Sequence, residues 1–116
     1  MSKLRFIFRL KIHAGKLDEF KAVAAALLAM VQEQGRHTLE YEWFLNGDQT
    51  ECVVLETFAD SDALLTHADM VAAQAGRLFA LCDMQDLWLC GEPSPAVLQR
   101  AAAFAPRQYS FLQGRG

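Results

Sequence analysis

Residues 38–58 have the sequence TLEYEWFLNGDQTECVVLETF. Two runs rich in aromatic and β-branched residues, 38–46 and 50–58, flank Asn46-Gly47-Asp48, and this pattern predicts two strands joined in a hairpin. Asn-Gly is typical of a type I′ turn, because that turn needs positive φ at both central residues. Both faces of the strands are partly apolar, so we expect both faces to be covered. One face of the first strand carries Leu39, Tyr41, Trp43 and Leu45, and the other carries Phe44.

The segment before the hairpin predicts a strand and a helix. Residues 3–13 alternate between charged and apolar side chains, which is typical of a half-buried strand. Residues 16–34 repeat apolar side chains at helical spacing and predict an amphipathic helix. Gly35 follows this helix, and we expect it to end the helix as a left-handed cap.

The segment after the hairpin predicts a second helix and strand. Asp60 or Ser61 can cap a helix over residues 62–81, with Ala68-Asp69 as a candidate break. A strand is expected over residues 83–90.

The order of elements is β-α-β-β-α-β, which predicts an α+β protein of the ferredoxin-like class, with helices on one face of an antiparallel sheet. Ser94-Pro95 then begins a short helix, and residues 108–112 predict a last strand. We expect one domain over residues 1–116, with a core over 3–90 and a C-terminal helix-strand extension over 91–113. The open sheet face predicts a homodimer, because a second copy covers it most simply.

Composition excludes several classes of protein. The chain has 116 residues and a net charge of −3, so it lacks the positive field that nucleic-acid binding requires. Its longest apolar run, residues 22–31, is too short to span a membrane. Cys52, Cys82 and Cys90 form no CxxC pair, so we expect reduced thiols and a cytoplasmic protein. The histidines show no metal-ligand spacing, and we predict no metal.

His67 and Glu56 are the candidate catalytic residues. His67 shares a helix face with Ala63 and Leu64, so it points toward the sheet, where an imidazole can act as a general base. The alternative is a structural histidine bonded to backbone or to Glu56. Glu56 lies on one strand face between apolar neighbours and must be paired or protonated. If the two meet, an orienting carboxylate would hold a base suited to removing a proton from a phenol or enol.

Several aromatic and arginine side chains on the predicted strands have two interpretations each. Tyr41, Trp43 and Phe58 are the candidate substrate-binding residues, since aromatic rings can hold a planar molecule; core or interface packing is the alternative. Phe44 and Trp88 share this ambiguity. Arg5 and Arg9 could pair with Glu56 or an anionic substrate, or form salt bridges with Glu40 or Glu42.

The run 39–45, the turn, the strand 54–58 and the following 59–67 with His67 together resemble the antibiotic biosynthesis monooxygenase family of dimeric α+β barrels. The resemblance covers residues 3–90. It implies a homodimer in which two sheets form a barrel-like body, and a pocket between sheet and helices. Oxygenase members use an Asn, a Trp and a polar His or Tyr in the pocket; His67 and Trp43 match, while Asn46, the only asparagine, lies in the turn.

The resemblance also implies an activity, namely oxidation of a small aromatic or quinol-like molecule by molecular oxygen without a bound cofactor. A non-catalytic small-molecule-binding or structural homodimer of the same fold is the alternative. Haem binding is a third possibility, since relatives include haem-degrading oxygenases.

Overall fold

The computed structural model describes residues 3–115. Within them the chain forms one five-stranded sheet and three α-helices, as the sequence predicts. The elements are β1 (Leu4–Ile12), α1 (Leu17–Gln34), β2 (Thr38–Leu45), β3 (Glu51–Phe58), α2 (Ser61–Phe79), β4 (Cys82–Cys90), α3 (Pro95–Ala101), a 3₁₀ turn (Ala102–Phe104) and β5 (Arg107–Tyr109).

The strand order β2-β3-β1-β4-β5 is that of a ferredoxin-like sheet with one strand added at an edge. The first four strands pair antiparallel, and β5 lies parallel to β4. The last strand is shorter than the predicted 108–112 and ends at Tyr109.

The inner face of the sheet, which the helices cover, contains the core. On β1, Leu4 and Leu10 are buried while Arg5 and Lys11 are exposed, so the predicted alternation is confirmed. Helix α1 adds buried Phe20, and α2 is packed beside it. Burying a side chain of this size contributes about 1.5–3 kcal/mol, which is why the apolar period determines which face each element buries.

The hairpin turn differs from the predicted type I′ geometry. Gly47 does not adopt positive φ; the left-handed residue is Gln49, with φ of 60°. Asn46 holds a longer loop together, because its Oδ1 accepts the Glu51 N–H at 2.9 Å and its carbonyl accepts the Gln49 N–H at 3.0 Å. The asparagine side chain therefore replaces the tight turn.

Two predictions about the helices, the left-handed cap at Gly35 and the break at Ala68-Asp69, were also wrong. Gly35 ends α1 with φ of −89°, which is not left-handed. A Cβ atom at Gly35 would lie 2.7 Å from the Val31 carbonyl oxygen, so close approach requires the glycine. Helix α2 is unbroken at Ala68-Asp69, and the Asp69 carboxylate is directed to Arg100 at 2.6 Å.

The outer face of the sheet is covered by no element of the chain within residues 3–115. It carries Ile7, Leu55 and Trp88 on adjacent strands, with Phe44 at the edge, 52% exposed. Arg5 pairs with Glu40 at this face, as expected, while Arg9 pairs with Asp86 and Glu51. Neither arginine reaches Glu56, which lies on the inner face.

Across residues 3–115, every helix is too short or too polar to span a lipid bilayer. Cys52, Cys82 and Cys90 carry free thiols, and burial raises the pKa of the Cys52 and Cys82 thiols to about 11.

Candidate active site

A cavity of about 290 Å³ lies between the inner face of the sheet and helices α2 and α3. It is about twice the volume of an engineered protein cavity that accommodates benzene, so it has room for a molecule of two or three fused rings. Its lining is almost entirely apolar, and Phe6, Phe8 and Val54 form its floor on the sheet.

Helix α2 makes room for the cavity with a stripe of small residues. Ala68, Ala72, Ala75 and Gly76 all line the cavity, and a Cβ atom at Gly76 would meet nothing within 4 Å. Ala72 and Gly76 are exposed, whereas the lining toward His67 is buried, so the mouth lies near the C-terminal half of α2.

The C-terminal extension completes the mouth, which sequence reasoning missed. Arg100 and Phe104 line the cavity, and the ring of Phe104 lies 6.0 Å from that of Phe79. Nothing in the sequence linked these residues to His67, since the contact depends on how α3 returns across α2.

Two polar side chains meet at the buried end of the cavity. Glu56 lies on β3 between Val54 and Phe58 on the inner face, and His67 lies on α2 one turn after Ala63. The two are 7% and 5% exposed, and the His67 Nε2 atom is 3.8 Å from the Glu56 Oε2 atom. The sequence periods therefore placed both residues on facing surfaces.

Burial suppresses the charge on both groups. It raises the pKa of Glu56 from 4.5 to about 8 and lowers the pKa of His67 from 6.5 to about 4. At neutral pH the pair is therefore a carboxylic acid beside a neutral imidazole. This differs from the expected orienting carboxylate: Glu56 keeps its proton, and 3.8 Å is too long for a hydrogen bond.

The orientation of His67 comes from other neighbours. The Thr38 Oγ1 atom lies 3.5 Å from His67 Nδ1. The rings of Tyr41 and Phe58 lie 5.3 Å and 5.0 Å from the imidazole. Sequence reasoning missed Thr38, because its strand parity predicts the opposite face of the sheet.

The three predicted substrate-binding residues, Tyr41, Trp43 and Phe58, all line the cavity. The Trp43 Nε1 atom is buried and has no hydrogen-bond partner within the described residues. Leaving such a donor unsatisfied costs about 1–3 kcal/mol, which a ligand oxygen would recover. Burial and the nearby Glu56 raise the pKa of Tyr41, so its hydroxyl stays protonated. Phe44 and Trp88 are excluded from the cavity, since they lie on the outer face.

Metal-ligand clusters do not occur in the part of the chain that the structure describes: no three His, Cys, Asp or Glu side chains converge there. Five polar side chains line the cavity: the carboxylic acid of Glu56, the neutral imidazole of His67, the indole N–H of Trp43, the phenol of Tyr41 and, at the mouth, the guanidinium of Arg100.

Comparison with known proteins identifies both sequence and fold relatives. The model of the family described as antibiotic biosynthesis monooxygenase matches residues 4–77. No curated protein matches the chain. The crystal structure of MupZ from Pseudomonas fluorescens has a TM-score of 0.88 at 20% identity, over 100% of this chain and 95% of MupZ. That alignment therefore includes the C-terminal extension.

Other solved structures share most of the fold. SnoaB, a cofactor-independent oxygenase from Streptomyces nogalater, has a TM-score of 0.68 at 21% identity, over 81% of this chain and 96% of SnoaB. Rv0793 from Mycobacterium tuberculosis has a TM-score of 0.68 at 15% identity, over 82% of this chain and 99% of Rv0793. Likeness at these identities concerns the fold.

Proposed function

Because the chain belongs to the antibiotic biosynthesis monooxygenase family, we propose that it oxidises a small aromatic or quinol-like molecule with molecular oxygen, without a bound cofactor. His67 and Glu56 are the catalytic residues of this proposal. Tyr41, Trp43 and Phe58 bind the substrate. The structural neighbour SnoaB is described as a cofactor-independent oxygenase, which supports the reaction class.

The observation that carries the proposal is the neutral acid–base pair in an apolar cavity. An electron-rich phenol is oxidised by oxygen far more readily as its anion, so the site needs a base that is unprotonated at neutral pH. His67 meets this need because burial lowers its pKa to about 4. Glu56 keeps a proton to donate because burial raises its pKa to about 8.

The reaction balances for a hydroquinone. His67 Nε2 accepts the hydroxyl proton, and the anion transfers an electron to O₂; the two radicals combine to form a peroxide at a ring carbon. The hydrogen on that carbon passes as a proton to the distal peroxide oxygen as the O–O bond breaks, which leaves one oxygen on the ring and releases the other as hydroxide. Glu56 protonates the hydroxide and recovers its proton from the His67 imidazolium. A hydroquinone and O₂ thus give a hydroxyquinone and water.

The remaining lining orients the ring system. Aromatic rings at Tyr41 and Phe58 flank the imidazole, so a planar ligand entering along α2 would stack within reach of Nε2. The unpartnered Trp43 N–H supplies a donor for a substrate oxygen. The small residues of α2 leave space for further rings toward the mouth.

The test is oxygen consumption with a series of one- to three-ring hydroquinones under ¹⁸O₂. We expect stoichiometric oxygen uptake and one ¹⁸O atom in the product. H67Q should lose this activity, while H13Q should retain it, since His13 is exposed and pairs with Asp83 outside the cavity. Failure of every hydroquinone, or full activity of H67Q, would overturn the proposal.

A non-catalytic binding homodimer of the same fold is the second candidate. It is favoured by the open outer face, which places Ile7, Leu55 and Trp88 side by side on adjacent strands. Proteins of this family are commonly dimers, and we propose that two copies pair through this face in either case. Ligand binding without oxygen consumption would favour the second candidate.

A further inference from the structure

The two ring nitrogens of His67 face two different spaces. Nε2 is directed to Glu56 and the apolar cavity, and Nδ1 is directed to Thr38. His67 also lines a separate cleft of about 160 Å³ on the other side of its ring, together with Thr38 and Thr66. Arg36 and His37 line the same cleft and are exposed, so the cleft opens at the surface. One buried imidazole thus forms the boundary between the apolar cavity and a cleft that opens at the surface.

Thr38 reaches the imidazole only because β2 is irregular at its start. Thr38 pairs with Phe58, but Glu40 pairs with Thr57, so Leu39 is an extra residue in the strand. Regular alternation would place Thr38 on the outer face with Glu40. The bulge instead turns the Thr38 hydroxyl toward α2. Leu39, which regular alternation predicts on the same face as Tyr41, is 48% exposed. Bulges that re-aim one side chain are common beside active sites.

The loop before β2 keeps space around the Thr38 hydroxyl. A Cβ atom at Gly35 would lie 3.3 Å from Thr38 Oγ1 and 2.7 Å from the Val31 carbonyl oxygen. The His37 carbonyl accepts the Ala59 N–H at 3.1 Å, which fixes the loop to the end of β3. The fixed loop, together with the missing Cβ atom at Gly35, leaves Thr38 between His67 and the surface.

We propose that His67 exchanges protons between the cavity and solvent through Thr38 and this cleft, with Thr38 as the residue that positions the imidazole. The proposal rests on the role of His67 as the base in the proposed function. Thr38 accepts the Nδ1 hydrogen, which leaves the Nε2 lone pair facing Glu56 and the ligand. Without this contact, either tautomer could face the cavity.

The proton steps balance through the two nitrogens. A proton taken from a ligand at Nε2 converts the ring to imidazolium. The Nδ1 proton then passes to Thr38 Oγ1 as the hydroxyl releases its own hydrogen to water in the cleft. The ring is left neutral with its hydrogen on Nε2. A proton that enters from the cleft through Thr38 to Nδ1 re-forms the imidazolium, which passes its Nε2 proton to Glu56 and returns to the first tautomer.

The test is ¹⁵N NMR of histidine-labelled protein without ligand, which reports the tautomer and the solvent exchange of each ring N–H. H67Q assigns the His67 signals. We expect the Nδ1–H tautomer in the native chain. T38V should shift the tautomer ratio by about fivefold, the effect of one net hydrogen bond, and should slow exchange of the Nδ1 hydrogen. T38S should restore both, since it keeps the hydroxyl.

T66V is the matched control, because Thr66 lines the same cleft but forms no hydrogen bond with His67 in the described chain. It should leave the His67 signals unchanged. If T38V does not fold, T38A removes the same hydroxyl with less added bulk. Equal tautomer ratios and exchange rates in the native chain and the folded hydroxyl-free variant would overturn the relay, as would an equal effect of T66V. Because no ligand is present, this result is independent of whether any hydroquinone is oxidised.

Discussion

The Nε2 atom of His67 lies 3.8 Å from the Oε2 atom of Glu56, and both groups are at least nine-tenths buried. Both are neutral across the range between the two shifted pKa values, about 4 for His67 and about 8 for Glu56. The contact therefore has the geometry of an ion pair without its charges. This relationship determines how both stability and activity should depend on pH.

Stability should fall between pH 6.5 and 8. Between 4.5 and about 8 the folded chain holds a Glu56 proton that the unfolded chain has lost, so rising pH lowers the free energy of unfolding. Between pH values of about 4 and 6.5 the unfolded chain binds a His67 proton that the folded chain does not, so rising pH raises the free energy of unfolding. The two effects cancel in the overlap, and only the Glu56 effect remains above pH 6.5.

The expected loss over that upper interval is about 2 kcal/mol, since one proton changes the free energy by about 1.4 kcal/mol per pH unit. Urea unfolding of the native chain and E56Q at a series of pH values measures it. E56Q should instead gain stability up to pH 6.5 and then remain level. A decline above pH 6.5 of equal size in E56Q would show that Glu56 is not its source.

Turnover should follow a bell-shaped pH profile, in which the titration of His67 sets the rising limb and that of Glu56 sets the falling limb. Activity should rise as His67 loses its proton near pH 4 and fall as Glu56 loses its proton near pH 8. E56Q should lower kcat by about 10²–10⁴ and lack the upper limb, because an amide cannot donate the proton. Steady-state oxygen uptake across pH checks both. An unchanged upper limb in E56Q would contradict the role of Glu56 as the acid.

Closing the mouth of the cavity should separate ligand binding from folding. G76L places a side chain in open space at the cavity mouth, and replacing a helical glycine should raise stability by about 0.5–1 kcal/mol. Binding of a two-ring hydroquinone, measured by calorimetry, should weaken strongly. G76A should give much of the stability gain and keep binding, and A73L, exposed and outside the cavity lining, should also bind normally. Normal binding by G76L would place the entrance elsewhere.

Sequence reasoning succeeded where a regular period determines the structure. Alternation along β3 and helical spacing along α2 were sufficient to turn Glu56 and His67 toward each other. These inferences needed no knowledge of long-range contacts. Arg5 and Arg9 share strand parity on the outer face of β1, where they pair with other carboxylates, so the predicted alternative that they pair with Glu56 was wrong.

The rest depended on local breaks in regular geometry and on tertiary packing. The bulge at Leu39 reverses the parity of Thr38, and no composition signal marks it. The Asn46-Gly47 pair predicts a tight turn, whereas the Asn46 side chain stabilises a longer loop. Arg100 and Phe104 reach the cavity through the path of α3 across α2, which single-chain periodicity does not specify.

The outer face should govern association. Leu55 lies on this face beside Ile7, in the register of β1 and β3, with Trp88 on the next strand. L55D would bury a charge against a second copy, so it should shift a dimer to single chains at micromolar concentration, as sedimentation velocity would show. A29D is the control, because Ala29 is exposed on α1, which covers the opposite face of the sheet. A native chain that sediments as a monomer, or a dimer that persists in L55D, would contradict pairing through this face.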